Sequence, residues 1–205
     1  MAQFLPLAPS FYEREDVVAI ARSLLGQLLV TRFQRRLTVG RIVETEAYAG
    51  TTDKASHAWK GRFTDRTKVM YGPSGHAYVY LCYGLHALFN VVTNRKDIPH
   101  AVLIRALEPV QGQEWMALRT GKAMHDRSLT RGPGNLSKAM GITVADSGRS
   151  LTEGPILIAA GDRVIAPADI LATPRIGVDY AGADALLPYR FVVGNNPYVS
   201  GTNKK

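Results

Sequence analysis

Two carboxylates, a phenol and one distant guanidinium are the residues of this chain best suited to chemistry. In the segment RIVETEAYAG, Ile42, Glu44, Glu46 and Tyr48 share one parity. A strand there places both acids and the phenol on a single face. Carboxylates crowded on one strand face cost energy unless they are partnered or used. In HAVLIRAL, residues 100–107, an apolar run that reads as a buried strand contains Arg105. A guanidinium in such a run needs a counter-charge, and either Glu46 or Glu44 can supply it. An ionised carboxylate in that setting can activate water or oppose a developing positive charge. A solvated strand face, however, holds two acids with no chemistry at all.

A second constellation lies in HAYVYLCYGLHALFNVV, residues 76–92. Its first arm alternates Ala77, Val79 and Leu81 against Tyr78, Tyr80 and Cys82, and its second arm alternates in the same way. Tyr83-Gly84 is the turn signal between them, so the segment reads as a tight β-hairpin. Hairpin tips favour Asn, Asp or Gly because these residues tolerate positive φ. A tyrosine there breaks the local rule, and such breaks point to function. A projecting ring on a basic protein suits a wedge entering a base stack; an ordinary hairpin whose tyrosine folds onto a neighbouring loop also fits.

Residues 50–75 carry no periodic pattern. They hold Lys54, Lys60, Arg62, Arg66 and Lys68 interleaved with Trp59, Phe63 and Tyr71, and they include His57. Long irregular loops in compact domains are functional or disordered. Cations mixed with aromatics supply phosphate contact and base stacking. Taken alone, a loop histidine such as His57 is more often an ordinary hydrogen-bonding residue than a catalytic one. Further on, Arg131 precedes Pro133, Gly134 and Asn135 at the start of a short helical pattern, where Asn135 is a candidate cap and the helix start a candidate phosphate site.

The elements that must position these groups are modest. Residues 14–25 space Val17, Ile20, Ala21, Leu24 and Leu25 as a helix, with Glu15 and Asp16 at its start and Gly26 at its end. Strands are expected at 28–33, 38–47, 100–107, 155–166 and 188–194, and a short helix at 113–118. The segment 174–182 reads as a loop with an apolar centre. With 205 residues, no internal repeat and no low-complexity linker, one domain spanning 1–205 is expected, its tail 201–205 disordered.

The net charge of +8 favours a polyanionic partner, most simply nucleic acid. No apolar run is long enough to span a bilayer, and the first residues lack the pattern of a secretory signal. The single cysteine, Cys82, excludes an internal disulfide, and no Cys/His spacing suggests zinc. These features fit a reducing compartment, the cytoplasm or nucleoid, with no membrane partner.

RIVETEAY, a His-containing basic loop, YVYLCYG, FNV and RALEP, in that order, resemble the alkyladenine (3-methyladenine) DNA glycosylase family. The resemblance extends from the N-terminal helix to RFVVGNNPYVS. It implies a single compact α+β domain, with a curved antiparallel β-sheet, surrounding helices and a protruding β-hairpin, that needs no metal or other cofactor and acts as a monomer on double-stranded DNA containing damaged purines. The implied activity is monofunctional: an alkylated or deaminated adenine or guanine is flipped out and its N-glycosidic bond hydrolysed. Glu46 matches the catalytic acid residue, Arg105 its partner in holding water, and Ile176 a backbone carbonyl that touches the same water. Tyr83 matches the intercalating residue; Tyr48, His57 and Tyr80 match the base pocket, and Asn90 the residue that crowds a guanine's amine. Lys60, Arg62, Arg66, Lys68 and Arg131 are expected on the DNA backbone. Leu85 and His86 depart from the family pattern beside the hairpin tip, and the vertebrate-type N-terminal extension is absent.

That assignment is chemically coherent. A cationic alkylated purine departs neutral, so one working carboxylate is sufficient where glycosidases use two. Two readings compete: a non-catalytic DNA-bending module with Glu46 as a structural partner of Arg105, and a metal-dependent nuclease using Glu44, Glu46 and His57.

Overall fold

The computed structural model describes residues 4–201. The expected disordered tail lies outside the described residues from 202 onward. Helices α1 (Pro9–Tyr12) and α2 (Val17–Ser23) come first. Asp16 caps α2, its Oδ1 accepting from the amides of Val18 at 2.9 Å and Ala19 at 3.0 Å. Ile20, Ala21 and Leu24 are fully buried, and the two large aliphatic side chains, Ile20 and Leu24, each stabilise the fold by about 1.5–3 kcal/mol.

Strands β1 (Leu28–Phe33) and β2 (Arg36–Tyr48) follow, joined at Gln34 and Arg35, both with positive φ. The next four elements are β3 (Ala77–Cys82), β4 (His86–Thr93), β5 (His100–Gln111) and α3 (Gln113–Thr120). Then come α4 (Pro133–Met140), β6 (Ile156–Ala159), β7 (Ile170–Thr173) and β8 (Arg190–Val193). Every strand pair is antiparallel, in the order β3-β4-β5-β2-β1-β6. β2 is the hub. One edge pairs along β5; the other is shared between β1, from Arg36 to Arg41, and β8, from Glu44 to Glu46. The sheet curls around one main core, closed by α2, α3 and α4. The result is the single α+β domain with a curled antiparallel sheet that the resemblance implies.

Several expectations are corrected. Residues 160–166 are not strand: the pattern ends at Ala159, before Ala160 and Gly161. β7 was not foreseen, because four residues carry too little periodicity. Asn135 is not the cap of α4; Gly132 holds that position without a side-chain bond, and Asn135 lies inside the helix, donating to the Arg131 carbonyl at 3.0 Å. The strand at 38–47 extends over Arg36–Tyr48.

The side chains of β2 follow the expected single parity only in part. Ile42 pairs with Leu107 and lies in the main core, whereas Glu44 and Glu46 turn toward Arg105. The ladder shifts between Ile42 and Glu44, skipping Val43, and again between Glu44 and Thr45, skipping Arg105. One extra residue on each strand reverses which face the following side chains occupy. Thr45 consequently points to α2, its hydroxyl donating to the Ala21 carbonyl at 2.9 Å.

Candidate active site

The hairpin expected from the sequence is present. Tyr83 and Gly84 both have positive φ, 51° and 70°, and the Leu85 amide donates to the Cys82 carbonyl at 3.1 Å. This is the mirror-image turn that matches strand twist. Tyr83 is 92% exposed and Leu85 79%, so the tip projects an apolar point. At its base, a Cβ on Gly134 would come within 3.0 Å of the His86 ring. A larger residue at Gly134 would force the His86 ring to give way.

Beneath the tip lies a cavity of about 560 Å³. Its lining includes Tyr48, His57, Tyr80, Asn90, Arg105 and Ile176, which are drawn from β2, the loop 50–75, β3, β4, β5 and the loop after β7. A cavity of this size accepts a purine. The His57 and Tyr80 rings meet edge to face at 4.6 Å. Arg66 donates to His57 Nε2 at 3.0 Å, and a guanidinium can only donate. His57 Nδ1 therefore carries the proton, 2.9 Å from the Tyr78 hydroxyl. Burial, then the charges of Arg66 and Arg62, push the imidazole down to about 4. Asn90 spends its amide hydrogens on the carbonyls of Tyr78 and Leu88.

Behind that wall stands Glu46, fully buried. Its Oε2 accepts from the Tyr48 hydroxyl at 2.8 Å and from Arg105 Nη1 at 3.4 Å; its Oε1 accepts from the Ile176 amide at 2.8 Å. Ile176 thus touches the acid through its N–H. Burial first, then Glu46 and Tyr80, push the Tyr48 phenol well above its ordinary value, so it stays protonated and donating. Burial pulls the Arg105 guanidinium down, yet Glu46 and Glu44 together hold it above its ordinary value.

Glu44 is different. Its Oε1 accepts from Arg105 Nε at 2.8 Å, Arg190 Nε at 2.8 Å and Ser200 Oγ at 2.9 Å; its Oε2 accepts from the Ser200 amide at 2.6 Å. A carboxylate offers about four acceptor sites. Glu44 has filled them; Glu46, with three donors of which one is long, has room for water. Glu44, Glu46 and His57 form no ligand set, and among the described residues no three His, Cys, Asp or Glu side chains could hold a metal ion.

The expected backbone cations divide. Lys60, Arg62 and Lys68 are exposed in the loop 50–75, Lys68 pairing with Asp65 at 3.0 Å. Arg66 is exposed as well but already engaged, its guanidinium 4.6 Å from the Tyr80 ring centroid, and the half-buried Arg131 donates to the Pro197 carbonyl. Sequence reasoning missed Arg175, Tyr180, Arg190 and Ser200, whose partners in β2 and the loop 50–75 lie far away in the chain. The apolar centre of 174–182 was the only hint.

A family profile described as methylpurine-DNA glycosylase (MPG) matches residues 10–197. The chain belongs to the methylpurine-DNA glycosylase family. A protein of Methanocella arvoryzae is 47% identical over 198 residues, 96% of each chain. One from Bacillus mycoides is 45% identical, covering 94% of this chain and 98% of its own. Another from Chlamydia felis is 45% identical, covering 91% and 95%. Each carries the provisional name 3-methyladenine DNA glycosylase. The glycosylase is accordingly a hydrolase of N-glycosyl bonds that serves DNA repair, and DNA is its substrate. Among the described residues of this glycosylase, no helix is long and apolar enough to cross a membrane.

Proposed function

We propose that this glycosylase extrudes a damaged purine, alkylated or deaminated, from duplex DNA into the cavity walled by Tyr48, His57 and Tyr80, and that Glu46 activates the water that releases it. The observation that carries the assignment is the difference between the two acids: Glu44 is saturated by four donors, and Glu46 keeps an acceptor site directly behind the cavity wall. Arg105 and Ile176 flank that site and confine the water. In a buried setting one ionised carboxylate also opposes the positive charge that develops on the sugar.

Extraction of the base costs a few kcal/mol, least for a damaged or mispaired one. Tyr83 offsets part of this by stacking in the vacated space. Lys60, Arg62, Arg66, Lys68 and Arg131 hold the deformed backbone, and Asn90 crowds the amine of an entering guanine. No lysine lines the cavity among the described residues, so attack on the sugar to form a Schiff base has no candidate nucleophile and the reaction stops at the abasic site. The enzyme works as a monomer in the cytoplasm, on nucleoid DNA.

Glu46→Gln tests the assignment under single-turnover conditions on duplexes that each carry one defined lesion. Lesion binding should survive while excision falls by at least about a hundredfold. Near-normal excision by the variant would remove Glu46 from the role of base.

A further inference from the structure

The buried charges behind the cavity are arranged unequally, and the inequality has a use. Two guanidiniums, Arg105 and Arg190, meet two carboxylates, Glu44 and Glu46, yet the short contacts converge on Glu44. Arg105 Nε and Arg190 Nε both lie 2.8 Å from Glu44 Oε1, whereas Arg105 reaches Glu46 only at 3.4 Å. We propose that Glu44 positions Arg105, through a buried anchor completed by Arg190 and Ser200, and so keeps Glu46 open to water. The proposal rests on the reading of Glu46 as the base.

The backbone explains why Arg105 needs an anchor. It is the residue that the β2–β5 ladder skips, so regular pairing does not fix its direction. Its Nε is tied to Glu44, and its Nη2 reaches Ser200 Oγ at 3.3 Å. Ser200 uses every polar group it has. Its amide and hydroxyl donate to Glu44, its hydroxyl accepts from Arg105, and its carbonyl accepts from Arg190 Nη2 at 2.5 Å. The segment near the end of the chain is thereby wired into the site.

The same anchor reaches the other side of Glu46. Arg190 Nη1 donates to Thr173 Oγ1 at 3.0 Å, at the end of β7 and three residues before Ile176. A Cβ on Gly201 would come within 3.0 Å of Ile176 Cδ1, so the chain beyond Ser200 packs against the residue whose amide donates to Glu46. With the Glu44 charge removed, Glu46 is the one remaining anion for Arg105. The guanidinium then closes onto it and fills the acceptor site that water needs.

Single-turnover excision with enzyme in excess separates the maximal rate from half-saturation. Glu44→Gln should lower the maximal rate by about a hundredfold, the scale of a misplacement near 1 Å. Half-saturation should stay within about twofold, since neither Glu44 nor Ser200 lines the cavity. Glu44→Asp keeps the charge and should recover much of the loss. Ser200→Ala guards against a Glu44 variant that does not fold: it removes one hydroxyl from the anchor and should lower the maximal rate by about five- to tenfold in an enzyme that still folds, its melting temperature falling by only a few degrees. Combined with Glu46→Gln it should add little, because the two then act as one unit. A folded Ser200→Ala enzyme with the wild-type maximal rate overturns the proposal, as does a loss confined to half-saturation. Full activity of Glu46→Gln alone overturns the reading beneath it and the proposal with it.

Discussion

Arg175 and Asp53 form a bidentate pair, Nη1 to Oδ2 at 2.5 Å and Nη2 to Oδ1 at 2.9 Å, with both side chains sealed from solvent. The same guanidinium donates to the Ala47 carbonyl and lies 4.9 Å from the Tyr48 ring centroid. One residue further on, the Ile176 amide reaches Glu46. The pair is thus the joint between the strand that carries the acid and the loop that closes over it.

Breaking that joint from one side should be costly. Asp53→Asn leaves a buried guanidinium without its counter-charge, which destabilises proteins by about 3–5 kcal/mol. Urea denaturation measures it. Replacing both residues, Asp53→Asn with Arg175→Met, should cost less than the sum of the single changes. A loss below about 1 kcal/mol for Asp53→Asn would show that the pair contributes little.

Tyr83→Ser should leave folding nearly intact, because the ring is exposed and takes no core with it. Stacking lost from the vacated site should shift flipping back by about 1–3 kcal/mol. The deficit should be largest for a lesion that pairs well, smaller in a mismatch, and smallest in single-stranded DNA. Equal losses in all three contexts would place Tyr83 among the pocket walls instead.

His57 should make stability depend on pH. Its folded value of about 4 lies below the unfolded value near 6.5, so the unfolded chain binds more protons between the two. The stability difference is fully present above about pH 6.5 and is lost as pH falls toward 4, by at most about 3 kcal/mol. His57→Gln should flatten the fall in unfolding free energy between pH 7 and 4.5; identical slopes would contradict the depressed imidazole.

Grip on DNA should depend steeply on salt. If about four to six phosphates are neutralised by Lys60, Arg62, Lys68, Arg131 and their neighbours, log affinity falls against log salt with a slope of roughly −4 to −5. A slope near zero on undamaged duplex would assign the net charge another purpose.

The parts of this architecture legible in the sequence are those written in local patterns. Asp16 before an apolar helical spacing marks α2, and Tyr83-Gly84 between alternating arms marks the hairpin. The demand for a partner at Arg105 follows from one cation in an apolar strand, and both open candidates, Glu44 and Glu46, turn out to contact it. What stayed hidden is non-local. Arg175 meets Asp53, and Ser200 meets Glu44, across more than a hundred residues of chain, and neither pair leaves a periodic trace. The placement of Ile42 went astray because a bulge is invisible to a two-residue period.

The skipped residues Val43 and Arg105 compensate one another: pairing on either side of them keeps a single register, as Ile42 with Leu107 and Thr45 with Ile104 show. The irregularity therefore works as a unit. Loss of one residue from either strand alone would slide the ladder, and loss of both skipped residues would restore a regular sheet while removing the guanidinium of Arg105 that both acids contact. Lengths of β2 and β5 can drift only together, so lineages that keep this chemistry should accept insertions and deletions in the intervening loops and refuse them within a few positions of Val43 and Arg105.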